Sequence, residues 1–161
     1  GHFFESYNEQ VFNQAVGERV CFVQDNQSLS SKGVLRGLHA QFGEFAQAKL
    51  VRVLQGEVLD VAVDARTGSP TYGEHIAVRV SAKNRMQLFV PRGFLHGFVT
   101  LSESAVFFYK CDNFYNKEAE KGVVFNDAAL GIDWLMNEHE LIVSNKDRIL
   151  PTFAAAYGSS A

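Results

Sequence analysis

At 161 residues, 47% of them hydrophobic and 20% charged, the chain has a globular composition and is long enough to bury most of its apolar surface. Its formal charge of −3 argues against broad binding to nucleic acid or to a membrane surface. It leaves room for a few convergent Arg and Lys residues around a small anion. No apolar run approaches transmembrane length and the first residues do not read as a signal peptide, so a soluble, cytoplasmic protein is expected. Cys21 and Cys111 lie in apolar contexts outside any Cys-x-x-Cys pair, which points to buried, reduced thiols.

In chain order, residues 8–15 carry a moderate helical period and residues 19–23 are strand-like. Residues 24–28 are a polar cluster that reads as a surface turn. Residues 34–41, 48–54 and 58–65 read as strands, with Gln55-Gly56-Glu57 turning between the last two. In the third, Leu59, Val61 and Val63 alternate with Asp60, Ala62 and Asp64, as in a half-buried strand. Residues 67–70 form a loop, residues 74–80 and 86–90 are strands about the turn 82–85, and residues 105–111 form a strand after the segment 91–98. The character changes after residue 112. Residues 115–122 are charged, 126–134 loop-like and 137–141 a helical turn, and 154–161 form a tail expected to be flexible. Short strands at near-regular spacing indicate an all-β sandwich or barrel, one domain over residues 1–153.

Arg36-Gly37-Leu38-His39-Ala40-Gln41 and Lys49-Leu50-Val51-Arg52-Val53 set Arg, His, Gln and Lys among strand-like apolar residues. Taken singly, each reads as an edge-strand or core residue. Together they point to a pocket that holds an anion and moves protons, because such groups are costly to bury unless paired or used. Two spacings match the cupin jelly rolls. His39-Ala40-Gln41, then Lys49 and a closing Gly56, stand where that family has His-x-His, Glu and Gly. Pro91-Arg92-Gly93-Phe94-Leu95-His96 stands for Pro-x-Gly-x-x-His. Gln41 is a poor metal ligand and Lys49 a cation, leaving His39 and His96, too few for a closed metal site. The expected fold is an all-β cupin jelly-roll barrel with short peripheral helices and no metal.

The stretch from Gly33 to Gln41, with Lys49-Leu50-Val51-Arg52-Val53, Asp60-Val61-Ala62-Val63-Asp64, Gly93-Phe94-Leu95-His96-Gly97-Phe98, Tyr109-Lys110 and Ser144-Asn145-Lys146-Asp147, resembles the dTDP-4-dehydrorhamnose 3,5-epimerases. The resemblance runs from Phe3 to about Pro151. Two departures stand out. The family's Asp-x-Arg-Gly, whose Arg helps hold the diphosphate, is represented only by Gly1, and the sequence is expected to begin inside a longer product. Ala40 also replaces the commoner Tyr.

The resemblance implies a nucleotide-linked 4-keto-6-deoxy sugar as substrate, epimerised at C3 and C5 without cofactor. The C4 ketone acidifies both protons, so a base, an enolate stabiliser and an acid on the opposite face are needed. By resemblance His39 is the base, oriented by Asp147; Lys49 faces the enolate oxygen; Tyr109 is the acid; and Tyr115 stacks on the thymine. Glu5, Gln24, Asp25, Asn26, Arg36, His96, Glu120 and Lys146 match positions that contact the nucleotide or sugar, and a homodimer is implied. A C3-only or C5-only epimerase, or a 3,4-ketoisomerase on a related sugar, is the alternative. On a regular strand Arg36 and His39 point to opposite faces. Both reach one pocket only if the chain bulges, which Gly37 would permit.

Overall fold

The computed structural model describes residues 1–158. Its elements are α1 (Glu9–Val16), β1 (Gln24–Ser31), β2 (Val34–Gln41), β3 (Lys49–Gln55), β4 (Glu57–Asp64), β5 (His75–Ser81), β6 (Gln87–Val90), β7 (Phe94–Thr100), β8 (Ser104–Cys111), β9 (Glu120–Gly122), β10 (Ile142–Val143), α2 (Asn145–Arg148) and α3 (Phe153–Tyr157), with three single-turn 3-10 helices between them. Among the described residues the strands form a four-stranded sheet, β1-β8-β3-β6, and a six-stranded sheet, β10-β2-β7-β4-β5, with β9 also paired to β2. Apart from the short parallel β10–β2 pair, neighbouring strands run antiparallel. The result is a cupin-type jelly roll.

Two apolar layers hold it together. Val51, Val53, Val58, Val80, Phe98, Ala105 and Phe107 fill the space between the sheets. On the far side of the six-stranded sheet, Leu35, Leu59, Val61, Val63, Leu95 and Val99 pack against Val123, Phe125, Trp134, Leu141 and Phe153 from the C-terminal third. That cover changes the character of β4, which is buried from Val58 to Asp64 rather than half-buried. The two acids on that buried run are tolerated because each is paired. Asp60 meets His96 at 2.6 Å, and Asp64 accepts from Arg66, Ser69 and Thr71. The Arg66 guanidinium, above all, holds the Asp64 carboxyl far below the usual carboxylate range.

Several expectations give way here. Residues 24–28 are not a turn but the first part of β1, paired along its length with β8. They lack apolar alternation because one face of the strand lines a polar cavity and the other is exposed. Residues 19–23 form no strand; they are held by Val20 N–H donating to Asn13 Oδ1 at 2.9 Å. The segment from Phe94 to Thr100 is a central strand, β7, with Gly97 and His96 hiding its period. Cys111 is buried but Cys21 is exposed. Of the expected tail, residues 154–157 belong to α3, and the Tyr72 hydroxyl donates to the Tyr157 carbonyl at 2.9 Å. Residues 159–161 lie outside the described residues.

β2 and β7 pair with a register shift between Arg36 and His39. Gly37 sits there at φ 125°. A Cβ on it would stand 2.6 Å from Gly97 Cα, and one on Gly97 would stand 2.7 Å from the Arg36 carbonyl oxygen. Both glycines are therefore required by the close approach of the two backbones.

Candidate active site

A cavity of about 440 Å³ lies between the sheets. Its inner end is closed by Phe98 of one sheet stacked on Phe107 of the other, ring centroids 4.0 Å apart and 15° from parallel. The six-stranded sheet contributes Arg36, His39 and His96, and the four-stranded sheet contributes Asn26, Ser28, Lys49 and Tyr109. Ser144, Lys146 and Asp147 enter from α2 and its cap, and Tyr115 and Glu120 from the segment after β8.

His39 Nε2 lies 2.7 Å from Asp147 Oδ1. Asp147 is itself fixed twice. Its N–H donates to the Ser144 hydroxyl, which caps α2, and its second carboxylate oxygen accepts from Gly37 N–H at 3.2 Å. Burial pushes the Asp147 carboxyl upward, but the His39 hydrogen bond and charge, the Gly37 amide and Lys146 outweigh it and hold the group below its ordinary value. An ionised Asp147 requires the imidazole proton on Nε2, which leaves Nδ1 as the basic nitrogen.

A second His–Asp pair stands beside the first. His96 Nε2 is 2.6 Å from Asp60 Oδ1, with side chains only 7% and 0% exposed. Asp60 belongs to the site's support, and its alternation pattern had placed it on a solvent face. The feature that could reveal it is an acid on an otherwise apolar strand of the fold's centre, which needs a buried partner.

Lys49 Nζ sits 5.5 Å from the centroid of the Tyr109 ring. Burial pushes the Lys49 ammonium down, and the nearby Glu120 and Asp60 carboxylates partly restore it. Burial pushes the Tyr109 phenol up, with the neighbouring Asn26 amide working against the shift. Asn26 Nδ2 also reaches Cys111 Sγ at 3.8 Å, and burial pushes that thiol up to about 11, so it is uncharged at neutral pH. Arg36 donates from Nε and Nη2 to the Ser30 hydroxyl, each at 3.3 Å. Lys146 pairs with Glu120 at 3.0 Å, and that hydrogen bond raises its ammonium.

Of the residues expected at the substrate, the structure gathers Asn26, Arg36, His39, Lys49, His96, Tyr109, Tyr115, Glu120, Lys146 and Asp147 around this cavity. Glu5, Gln24 and Asp25 do not line it. Glu5 lies on the exposed N-terminal segment, accepting from Asn8 at 3.3 Å. Asp25 faces outward and pairs with Lys110 at 3.1 Å. Gln24 stands behind the wall, donating to Asn26 Oδ1 and accepting from Tyr115 N–H, both at 3.1 Å. Ser28, Ser144, Phe98 and Phe107 line the cavity without having been expected there. Serines and core phenylalanines carry no distinguishing sequence signal.

Gln41 does not face a metal site. Both its amide and its carbonyl are engaged by backbone groups of the neighbouring loops. Among the described residues no group of His, Cys, Asp and Glu has the arrangement of a metal site, and no helix is long and apolar enough to cross a membrane.

Fold and site together define a cupin-type jelly roll whose pocket gathers two His–Asp pairs, a half-buried lysine and a half-buried tyrosine. The family model described as dTDP-4-dehydrorhamnose 3,5-epimerase matches residues 1–155, and the chain belongs to that family of isomerases. The dTDP-4-dehydrorhamnose 3,5-epimerase of Salmonella typhimurium is 58% identical over 134 residues, 83% of this chain and 73% of that protein. The crystal structure of dTDP-4-dehydrorhamnose 3,5-epimerase from Elizabethkingia anophelis superposes with a TM-score of 0.94 at 56% identity, over 98% of this chain and 86% of that one. The Legionella pneumophila dTDP-6-deoxy-D-glucose-3,5-epimerase, solved in complex with dTDP-4-keto-L-rhamnose, gives a TM-score of 0.90 at 46% identity, over 94% and 79%.

Proposed function

We propose that this protein converts dTDP-4-dehydro-6-deoxy-D-glucose to dTDP-4-dehydro-L-rhamnose by inverting C3 and C5, as a step of dTDP-L-rhamnose formation. The observation that carries the proposal is that His39 and Tyr109 stand on opposite sheets with the cavity between them. Inversion needs a proton removed from one face of the sugar and returned to the other.

His39, with Nε2–H held by Asp147, takes the proton on C3 through Nδ1. The electron pair moves onto the C4 oxygen, where the Lys49 ammonium meets the developing charge. The Tyr109 phenol then donates its proton to C3 from the far side. An imidazolium and a phenolate remain, and they exchange protons with solvent before the same sequence runs at C5. Arg36 suits a diphosphate because its planar fork can engage two oxygens, and Lys146 adds charge nearby. Tyr115 offers a face for the thymine, and His96, Asn26 and Glu120 hold the sugar and nucleotide.

No metal enters this scheme. Lys49 occupies one cupin ligand position with a cation, and Gln41 occupies another with an amide already bound to backbone. We also propose a homodimer, supported by the exposed Leu29 and Leu54 on the outer face of the four-stranded sheet, which needs cover. Residues 1–153 are proposed to act as one domain, and the free thiols suit a cytoplasmic setting.

Incubation with dTDP-4-dehydro-6-deoxy-D-glucose in heavy water, followed by proton NMR, tests the activity. Exchange at both C3 and C5 is expected. Exchange at C3 alone would make the protein a C3 epimerase.

A further inference from the structure

Tyr115 is 56% exposed, on a loop between β8 and the 3-10 turn that precedes β9. An exposed aromatic on a loop is ordinarily mobile, and a mobile platform loses affinity to ordering. Here both peptide groups flanking the residue are fixed by side chains. Gln41 Nε2 donates to the Phe114 carbonyl at 3.1 Å and to the Phe45 carbonyl at 2.8 Å. Gln41 Oε1 accepts from Asn116 N–H at 2.9 Å. Tyr115 N–H donates to Gln24 Oε1 at 3.1 Å. The peptide before Tyr115 is thus gripped at both its carbonyl and its amide, and the peptide after it at its amide.

Gln41 is 5% exposed, so its bonds are made in a setting where an unmet amide is costly. The same pair of loops is joined again by Gln47 Nε2 to the Asn113 carbonyl at 2.8 Å and by Asn113 Nδ2 to the Glu44 carbonyl at 2.9 Å. Gln41 also sits on β2 two positions beyond His39, so the strand that carries the proton acceptor fixes the aromatic as well.

We infer that Gln41, with Gln24 as its second support, is a positioning residue that pre-orders Tyr115 to receive the nucleobase; this rests on the proposed role of Tyr115 as the thymine platform. A cupin ligand position has here become a backbone clamp. The clamp acts on binding of the nucleotide and not on the proton transfers, because neither glutamine lines the wall where His39, Lys49 and Tyr109 meet.

Gln41→Glu is the discriminating variant. It keeps the shape and the acceptor for Asn116 N–H, but sets a carboxylate against the Phe45 and Phe114 carbonyls. Titration calorimetry with dTDP is run on the wild type, Gln41→Glu, Tyr115→Ala and the double variant, with inorganic pyrophosphate as the baseless probe. Tyr115→Ala is expected to raise the Kd for dTDP about 10-fold or more, the usual worth of one stacked base. Gln41→Glu should raise it roughly 3- to 10-fold, with KM rising in parallel, kcat changing less, and the Kd for pyrophosphate unmoved. The double variant should bind dTDP no worse than Tyr115→Ala alone.

Additive losses in the double variant, or an unchanged Kd in folded Gln41→Glu, would overturn the inference while leaving the activity intact. An unchanged Kd in Tyr115→Ala would instead remove the platform role itself, and the inference with it. Amide hydrogen exchange needs no variant. The Tyr115 and Asn116 amides should exchange slowly in the free wild-type protein despite the exposed ring, and exchange at unprotected loop rates would also overturn the clamp.

Discussion

Arg36 and His39 share one strand at an odd spacing, yet both side chains line the same cavity. A regular strand would send them to opposite faces. The register shift between them, centred on Gly37, turns one of the two back. A guanidinium and an imidazole can therefore reach one cavity from a single bulge, and Asp147 locks it by accepting from the Gly37 amide while it holds His39.

Gly37→Ala should break this arrangement. The φ of 125° and the 2.6 Å approach to Gly97 Cα leave no room for a methyl group. Thermal unfolding should show a loss of roughly 2 kcal/mol or more, and turnover should be lost even at temperatures where the variant stays folded. A stable, fully active Gly37→Ala protein would show that the bulge is not what aligns Arg36 with His39.

Asp147→Asn should keep the shape and remove the charge, lowering kcat by about 10²- to 10⁴-fold. Its effect on stability depends on pH with a definite sign. A carboxyl held below its ordinary value binds its proton less tightly in the folded state than in the unfolded state. Its contribution is thus complete above the unfolded value, near pH 4, and is lost as pH falls through the folded value. Urea unfolding at pH 7 and at progressively lower pH should show the gap between wild type and Asp147→Asn closing on the acid side. A gap that widened there would contradict the assigned direction.

Exhaustive dialysis against EDTA should leave turnover unchanged. Loss of activity that zinc, iron or manganese restores would show that Lys49 and Gln41 do not exclude a metal from this cupin pocket.

The sequence made some of this legible and hid the rest for physical reasons. Arg36, His39, Gln41 and Lys49 stand out because polar groups of that kind on apolar strands must be paired or used, whereas Tyr109 and Asp147 are legible only through the family resemblance. The span of β2 could be read residue for residue. β1 could not, because a strand with a polar cavity on one face and solvent on the other has no apolar period. Asp60 was obscured by the opposite effect. Alternation on β4 suggested a solvent face, but the C-terminal third covers one side of that sheet and the second sheet covers the other. Such long-range cover is invisible to local pattern. Gln24 shows a further limit: it belongs to the site's neighbourhood, yet it works from behind the wall, on Asn26 and Tyr115.

The central claim is that His39 and Tyr109 divide the proton path between them, one face each, and solvent deuterium exchange read by proton NMR tests it most directly. His39→Ala should abolish deuterium uptake at both C3 and C5, since no enolate forms without the base. Tyr109→Phe should still take up deuterium, returned by His39 to the face it left, with turnover down by about 10²- to 10⁴-fold. Equal loss of exchange in the two variants would contradict the division, because Tyr109 would then be needed to form the enolate as well as to quench it.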